Sequence, residues 1–431
     1  MSPNTVAAYV VGDLALVLLL ASLLGAVAVR CAQPAIVGQL FAGVLLGPTL
    51  LGRLPGQLTA TLFPHAVLPY LSVLSQVAIV LFMFVVGYEM DLRSLRAAGR
   101  TALSTAAAAV LVPMGLGVGA VLLLPSAFRA VGEHGTGSRS FLLFMAVAVS
   151  ITALPVLAAI LRERNIAGTL PGVVATASAA AMDVAAWTIL AFALAGGTTR
   201  QRPEWVSVLL LLGLFLANML VIRPLLGRWA AGADSVLVHL LPLAVILAMA
   251  DAWATATIGL DAVFGGLLAG LAMPRRGDAP DAEVLKTMEG AAGILLPLFF
   301  AVTGLSLDIG SVGRDGLLLL AVLLTVAVVG KVVPAYLASR LGGLTSRQSA
   351  TVAVLLNTRG LTELIALNIG LSAGLIHRQL FAVLVIMALV TTAMTGPLLT
   401  LLGSGRVRPG GAARVPATVS TSGTAAEGLP G

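Results

Sequence analysis

Leu81-Phe82-Met83-Phe84-Val85-Val86-Gly87-Tyr88-Glu89-Met90-Asp91-Leu92 returns 217 residues later as Leu298-Phe299-Phe300-Ala301-Val302-Thr303-Gly304-Leu305-Ser306-Leu307-Asp308-Ile309, with Leu, Phe, Val, Gly and Asp recurring in register. Just before each copy lies a Gly-rich stretch that ends in proline: Gly38-Gln39-Leu40-Phe41-Ala42-Gly43 through Pro48, and Gly265-Gly266-Leu267-Leu268-Ala269-Gly270 through Pro274. Just after each comes a Val-Pro pair, Val112-Pro113 and Val333-Pro334. Three successive segments echo three later ones, so the chain reads as two related halves.

Those halves are built for a bilayer. Of 431 residues, 59% are hydrophobic and 10% charged, and the mean hydropathy is +1.05, far from a soluble globular profile. A helical span needs about 20 apolar residues. Pro, Gly and Arg clusters divide the chain into about thirteen such runs, at 8–29, 35–51, 67–88, 101–124, 140–161, 172–195, 205–222, 235–257, 259–273, 290–307, 316–338, 349–372 and 379–402. The matched helices are seven spans apart, an odd number, so the two copies cross in opposite directions. That is the inverted-repeat plan of secondary transporters. The expected fold is therefore an all-α polytopic membrane protein, with repeats over approximately 8–195 and 235–402 inside a transmembrane domain 1–402. A polar tail, 403–431, is too rich in Arg, Gly, Pro, Ser and Thr to fold alone.

The first run follows Met1-Ser2-Pro3-Asn4-Thr5 without a basic flank, and reads as a retained helix rather than a signal peptide. With the N-terminus outside, inside loops hold more than twice as many Lys and Arg as outside loops, which favours N-out, C-in in the cell membrane. The basic residues are scattered over short loops, which speaks for orientation and against nucleic acid. The single cysteine, Cys31, excludes an internal disulfide and a Cys-rich metal site. Gly370-Leu371-Ser372-Ala373-Gly374 matches the G-x-S-x-G pattern, but follows a membrane helix rather than the strand that a hydrolase elbow requires. No H-E-x-x-H motif is present, so the chain does not read as an enzyme.

Within this apolar frame, Asp183 is the only charge between Gly172 and Ala195 and falls near the middle. A carboxylate at mid-membrane costs roughly 2.5–3.5 kcal/mol on insertion scales and usually marks an ion or proton path. Two corresponding spans are also interrupted. The fifth carries Ser150-Ile151-Thr152-Ala153-Leu154-Pro155-Val156, where Pro155 frees the carbonyl four residues earlier. The twelfth carries the polar run Asn357-Thr358-Arg359-Gly360-Leu361-Thr362-Glu363. Non-helical backbone at membrane depth is tolerated only where protein or water satisfies it, so both breaks point to a polar cavity. Arg359 and Glu363, four apart, share a helix face and can pair with each other or with the half-helix ends. Asp13 and Asp251 read as structurally paired acids. The pairs Gly43/Gly47, Gly115/Gly119 and Gly266/Gly270 fit close helix packing.

At this point the motifs resemble the monovalent cation:proton antiporters of the second branch, built on the sodium/proton exchanger domain. The stretch from Gln33 through Pro48 is similar to that family's second span. Thr152-Ala153-Leu154-Pro155-Val156, Asp183-Val184-Ala185-Ala186-Trp187 and the run from Asn357 to Glu363 resemble its ion-site motifs, over roughly residues 8–402. The resemblance implies a homodimer with no organic cofactor, whose core carries crossed broken helices and moves against a scaffold. It implies exchange of Na+ or K+ for H+, with Asp183 either protonated or bound to the monovalent cation. Thr152, carbonyls freed by Pro155 and, more weakly, Asn357 and Ser178 are the expected further ligands. Lys331 lies in the eleventh span, where many members carry a lysine near the ion site, and Gly360 marks the second break. Met182 departs from the family's Asp or other polar residue at that place, and one carboxylate implies electroneutral exchange. Some members add a nucleotide-binding domain, and none follows here, so ligand gating of that kind is not expected. A cation channel and a sodium-coupled solute symporter of similar fold are the alternatives.

Overall fold

The computed structural model describes residues 2–30, 35–47, 49–53, 61–64, 66–90, 99–133, 135–195, 204–231, 236–258, 260–275, 280–305, 307 and 309–403. Cys31, Pro48, Asp91, Asp308, Ser306 and the tail beyond Gly403 lie outside the described residues. Among those described, the chain is a succession of helices without strands. The first half contains α1 (Pro3–Arg30), α2 (Ala35–Leu46), α3 (Leu68–Glu89), α4 (Gly99–Leu123), the short α5 (Pro125–Ala130), α6 (Arg139–Ser150), α7 (Leu154–Glu163) and α8 (Leu170–Ala195). A long connecting helix follows as α9 (Glu204–Ala217), a π-helical turn (Asn218–Ile222) and α10 (Arg223–Ala231). The second half contains α11 (Val236–Ile258), α12 (Ala262–Ala272), α13 (Ala282–Leu305), α14 (Gly313–Leu341), α15 (Ser346–Leu356), α16 (Leu361–Ser372) and α17 (Arg378–Leu401).

Ten of the described helical segments are long and apolar enough to cross a membrane, fewer than the thirteen runs read from sequence. The three that fall short are 35–51, 140–161 and 259–273. Residues 35–51 and 259–273 contain helices of only 12 and 11 residues, and 140–161 is split by its break. Residues 346–372, counted among the ten, are divided at their break into α15 and α16 in the same way.

The helices sort into two groups by what they touch. α1, α2, α3, α11, α12 and α13 pack among themselves as a scaffold. α4, α6, α7, α8, α14, α15, α16 and α17 pack among themselves as a core. Each group takes its members equally from the two halves, and α9 touches both α8 of the core and α11 of the scaffold.

Glycine explains how the scaffold closes up. An added Cβ on Gly43 of α2 would strike the backbone of Phe300 and Ala301 on α13, and one on Gly270 of α12 would strike Phe84 on α3. Phe84 and Ala301 are 217 residues apart, the offset of the sequence repeat. Likewise Gly38 presses on Leu24 of α1, and Gly265 presses on Asp251 of α11. This exchange of partners, α2 on α13 and α12 on α3, is what two halves related by a twofold axis produce. Backbones this close leave no room for a side chain. Gly115 and Gly119 differ from expectation, because nothing lies within 4 Å of a Cβ at either.

The core repeats with an offset of 207. The N-cap residues Ser138 and Thr345 are 207 apart, as are the starts of α6 and α15 and the starts of α7 and α16. Ser138 accepts the Phe141 N–H, while Thr345 and Gln348 form a capping box. Both devices satisfy donors that a helix N-terminus leaves open. Each half-helix then stops at its break, 151–153 and 357–360.

Candidate functional site

The two breaks meet. Ala153 N–H donates to Thr358 O at 3.1 Å, and the Thr152 hydroxyl donates to Leu356 O at 2.9 Å. In the opposite sense the Arg359 guanidinium donates to Val149 O. Thr152 and Arg359 are 207 residues apart, as are Val149 and Leu356, so each break reaches into the other's half-helix in the same way. Gly360 is required at this crossing, since a Cβ there would sit 2.7 Å from Val156 Cγ2.

The C-terminal end of α6 carries the negative end of a helix dipole and would leave its last carbonyls bare. Every one of them has a donor. Val147 O takes the Ile151 N–H at 2.9 Å, and Ala148 O takes Arg359 Nη1 at 2.7 Å. Val149 O takes Arg359 Nη2. Ser150 O and Ile151 O take Lys331 Nζ at 2.5 and 2.7 Å. Ile151 O is the carbonyl that Pro155 frees. The sequence reading offers it to a cation, whereas the structure gives it to Lys331. Pro155 itself lies in the first turn of α7, where a missing N–H costs nothing, and the irregular residues precede it.

Lys331 donates its third hydrogen bond to Thr152 Oγ1 at 2.6 Å. An ammonium has three donors, so Lys331 is fully satisfied by this helix end and by Thr152. Arg359 also donates to Glu363 Oε1 at 2.5 Å, a fully buried pair. Asp183 stands apart from these pairings. It is 0% exposed, and neither carboxylate oxygen has a hydrogen-bond partner. The adjacent Met182 thioether lies 4.0 Å from Thr152 Oγ1, which places the middle of α8 against the first break. Lys331 and Asp183 interact through space as opposite charges. Thus a buried acid without a direct partner faces a crossing whose other charges are already engaged.

Further acceptors without partners sit at the second break: Asn357 Oδ1, Thr362 Oγ1 and Glu363 Oε2. Asn357 caps α15 and is buried with its whole side-chain amide unpaired. Ser178 is not brought to this place, because its hydroxyl donates to Ala102 O on α4 at 2.9 Å. Asp13 and Asp251 are buried elsewhere, each with its Oδ2 unpartnered. Asp251 is hydrogen-bonded by Asn218. Sequence reasoning singled out the run that holds Thr362 without giving that residue a role, and it missed Thr392. Threonine in a membrane helix usually bonds its own preceding turn, so Thr392 does not announce itself.

Core and scaffold meet mainly through side chains. Trp187, one turn beyond Asp183, stacks edge-on against Phe264 of α12 at 5.8 Å and 90°. Asn368 Nδ2 of α16 donates to Thr303 Oγ1 of α13 at 2.9 Å. An apolar cavity of about 450 Å³ opens beside the Trp187–Phe264 contact, bordered by Val184, Trp187, Phe215, Phe264 and Leu267.

Comparison with known proteins places these features in context. The family profile described as sodium/hydrogen exchanger, transmembrane, matches residues 15–404. The chain is 35% identical over 381 residues to Cation/H(+) antiporter 20 of Arabidopsis thaliana, covering 85% of this chain and 45% of that protein. It is 33% identical over 407 residues to the Na(+)/H(+) antiporter NhaS4 of Synechocystis, covering 92% and 98%. It is 32% identical over 397 residues to K(+)/H(+) antiporter 1 of Saccharomyces cerevisiae, covering 88% and 44%. The chain thus spans less than half of the plant and yeast proteins and nearly all of the cyanobacterial one. The solved sodium proton antiporter MjNhaP1 of Methanocaldococcus jannaschii superposes with a TM-score of 0.64 at 16% identity, over 92% of this chain and 97% of that one. That likeness shows a shared fold.

Proposed function

The chain belongs to the transmembrane sodium/hydrogen exchanger family, a family of transporters, and from that premise we propose that it exchanges a monovalent cation, Na+ or K+, for H+ by alternating access. The carrying observation is Asp183, a fully buried carboxylate whose two oxygens have no partner at the crossing of two broken helices. A buried carboxylate needs a counter-charge or a proton. With Lys331 and Arg359 committed to helix ends, a proton and a cation compete for Asp183, and that competition is the coupling.

Asp183 supplies the charge and Asn357 Oδ1 a neutral oxygen, both free to accept. The Thr152 hydroxyl joins them when Lys331 shifts its third hydrogen bond, whereas the Ser178 hydroxyl is turned to α4 by its bond to Ala102 O. With Met182 beside it, Asp183 is the single ionisable group of α8 at this level, so one proton exchanges for one monovalent cation without net charge movement. Asp183, Thr152 and Thr362 are all 0% exposed. A channel needs a continuous path, so a site closed on both sides favours a carrier. The scaffold–core seam, with its apolar cavity and few polar contacts, is where the core moves. We place the protein in the cell membrane as a homodimer, N-terminus outside, on the Lys/Arg distribution and the family resemblance.

The test is exchange in proteoliposomes with an imposed proton gradient and a pH-sensitive dye. Adding Na+ or K+ is expected to dissipate the gradient at a rate unaffected by clamping the membrane potential. No response to any monovalent cation from correctly inserted protein would overturn the reading in favour of a channel or an organic-solute carrier.

A further inference from the structure

The second break should leave the peptide groups of Arg359 without helical partners deep in the membrane, where each unsatisfied group costs several kcal/mol. Leu355 O, the helical acceptor for Arg359 N–H, is instead used by the Thr358 N–H at 3.1 Å and the Thr358 hydroxyl at 2.6 Å. One side chain from another helix satisfies both Arg359 groups. Thr392 Oγ1 on α17 accepts the Arg359 N–H at 3.1 Å and lies 2.7 Å from Arg359 O as donor, with Ala388 O as its alternative acceptor at 2.8 Å. The core offset of 207 matches Thr392 to Ala185 on α8, two residues beyond Asp183. At this level, the helix facing the break supplies an acid in one half and a hydroxyl in the other.

We propose that Thr392 is the positioning residue of the second break: its hydroxyl sets the Arg359 peptide, and through it the guanidinium that covers the carbonyl end of α6 and the neighbouring Asn357 that faces the cation. The effect on transport rests on the exchange reading given above. The placement of the peptide stands without it.

The adjacent Thr391 provides an internal control. Its hydroxyl bonds only Met387 O and Ala388 O of its own helix, at 3.0 Å each. Two measurements are made on Thr392→Val, Thr392→Ser and Thr391→Val: backbone amide hydrogen exchange of the segment 357–363, and the half-saturating cation concentration in proteoliposomes. Thr392→Val is expected to speed amide exchange in that segment and raise the half-saturating concentration about tenfold, a change worth about 1.4 kcal/mol. Thr392→Ser, which keeps the hydroxyl, and Thr391→Val should match the parent in both. If Thr392→Val does not accumulate, Thr392→Ala is used, with the same expectation. Parental amide exchange in the Val or Ala variant, or an equal change in Thr391→Val, overturns the proposal. Should the parent transport no cation, the amide-exchange arm still decides the positioning role while the exchange reading fails separately.

Discussion

Asp183→Asn is expected to abolish cation–proton exchange completely while leaving the protein as stable as the parent, or more so. The two halves of that expectation come from the same geometry. An amide neither carries the charge that attracts a cation nor exchanges a proton at accessible pH, so both sides of the competition vanish together. The carboxylate makes no hydrogen bond that the amide would lose. Lys331 loses only a through-space attraction, because its three donors go to Ser150 O, Ile151 O and Thr152 Oγ1. Removing a charge from a fully buried site lifts a desolvation cost. The measurement pairs the proteoliposome assay with thermal unfolding in detergent. Loss of exchange with a melting temperature at or above that of the parent is the expected outcome, and residual cation-driven proton movement would assign the chemistry to another group.

Arg359→Met should have the opposite signature, a large loss of stability. Arg359 is fully buried, pairs with Glu363 at 2.5 Å and covers Ala148 O and Val149 O. Taking away one partner of a buried pair typically costs about 3–5 kcal/mol, because the other charge stays behind uncompensated. Native proteins have only about 5–15 kcal/mol to lose. Little folded protein should accumulate, and what does should melt well below the parent. Adding Glu363→Leu removes the stranded carboxylate and should recover part of the loss. Full recovery is not expected, since the two carbonyls at the end of α6 still lack donors. A single variant that melts like the parent would mean that the Arg359–Glu363 pair does not hold the crossing together.

Much of this arrangement was legible in the sequence for a physical reason. A membrane span tolerates few irregularities, so Pro155, the polar run 357–363 and the lone Asp183 stand out against apolar surroundings. The repeat was legible because close backbone approach demands glycine at fixed places, and Gly43 and Gly270 occupy those places in both halves. What the sequence withheld was partner choice. It left Lys331 open to Asp183, Glu363 or a helix end, and only the distances show that the helix end and the Thr152 hydroxyl take its three hydrogen bonds. It kept Ser178 among the weaker ligand candidates, yet five residues along a helix turn a side chain to another face, here toward α4. Thr392 was hidden because a hydroxyl that serves a different helix reads the same as one that serves its own, as Thr391 beside it shows.

The central claim is that proton and cation exclude one another at Asp183. Adding the transported cation to purified protein in weakly buffered detergent solution and counting protons released tests it without a membrane. Release of one proton per cation bound is predicted, from a pH at which the site is protonated, with neither binding nor release in Asp183→Asn. Cation binding that leaves the solution pH unchanged would contradict it.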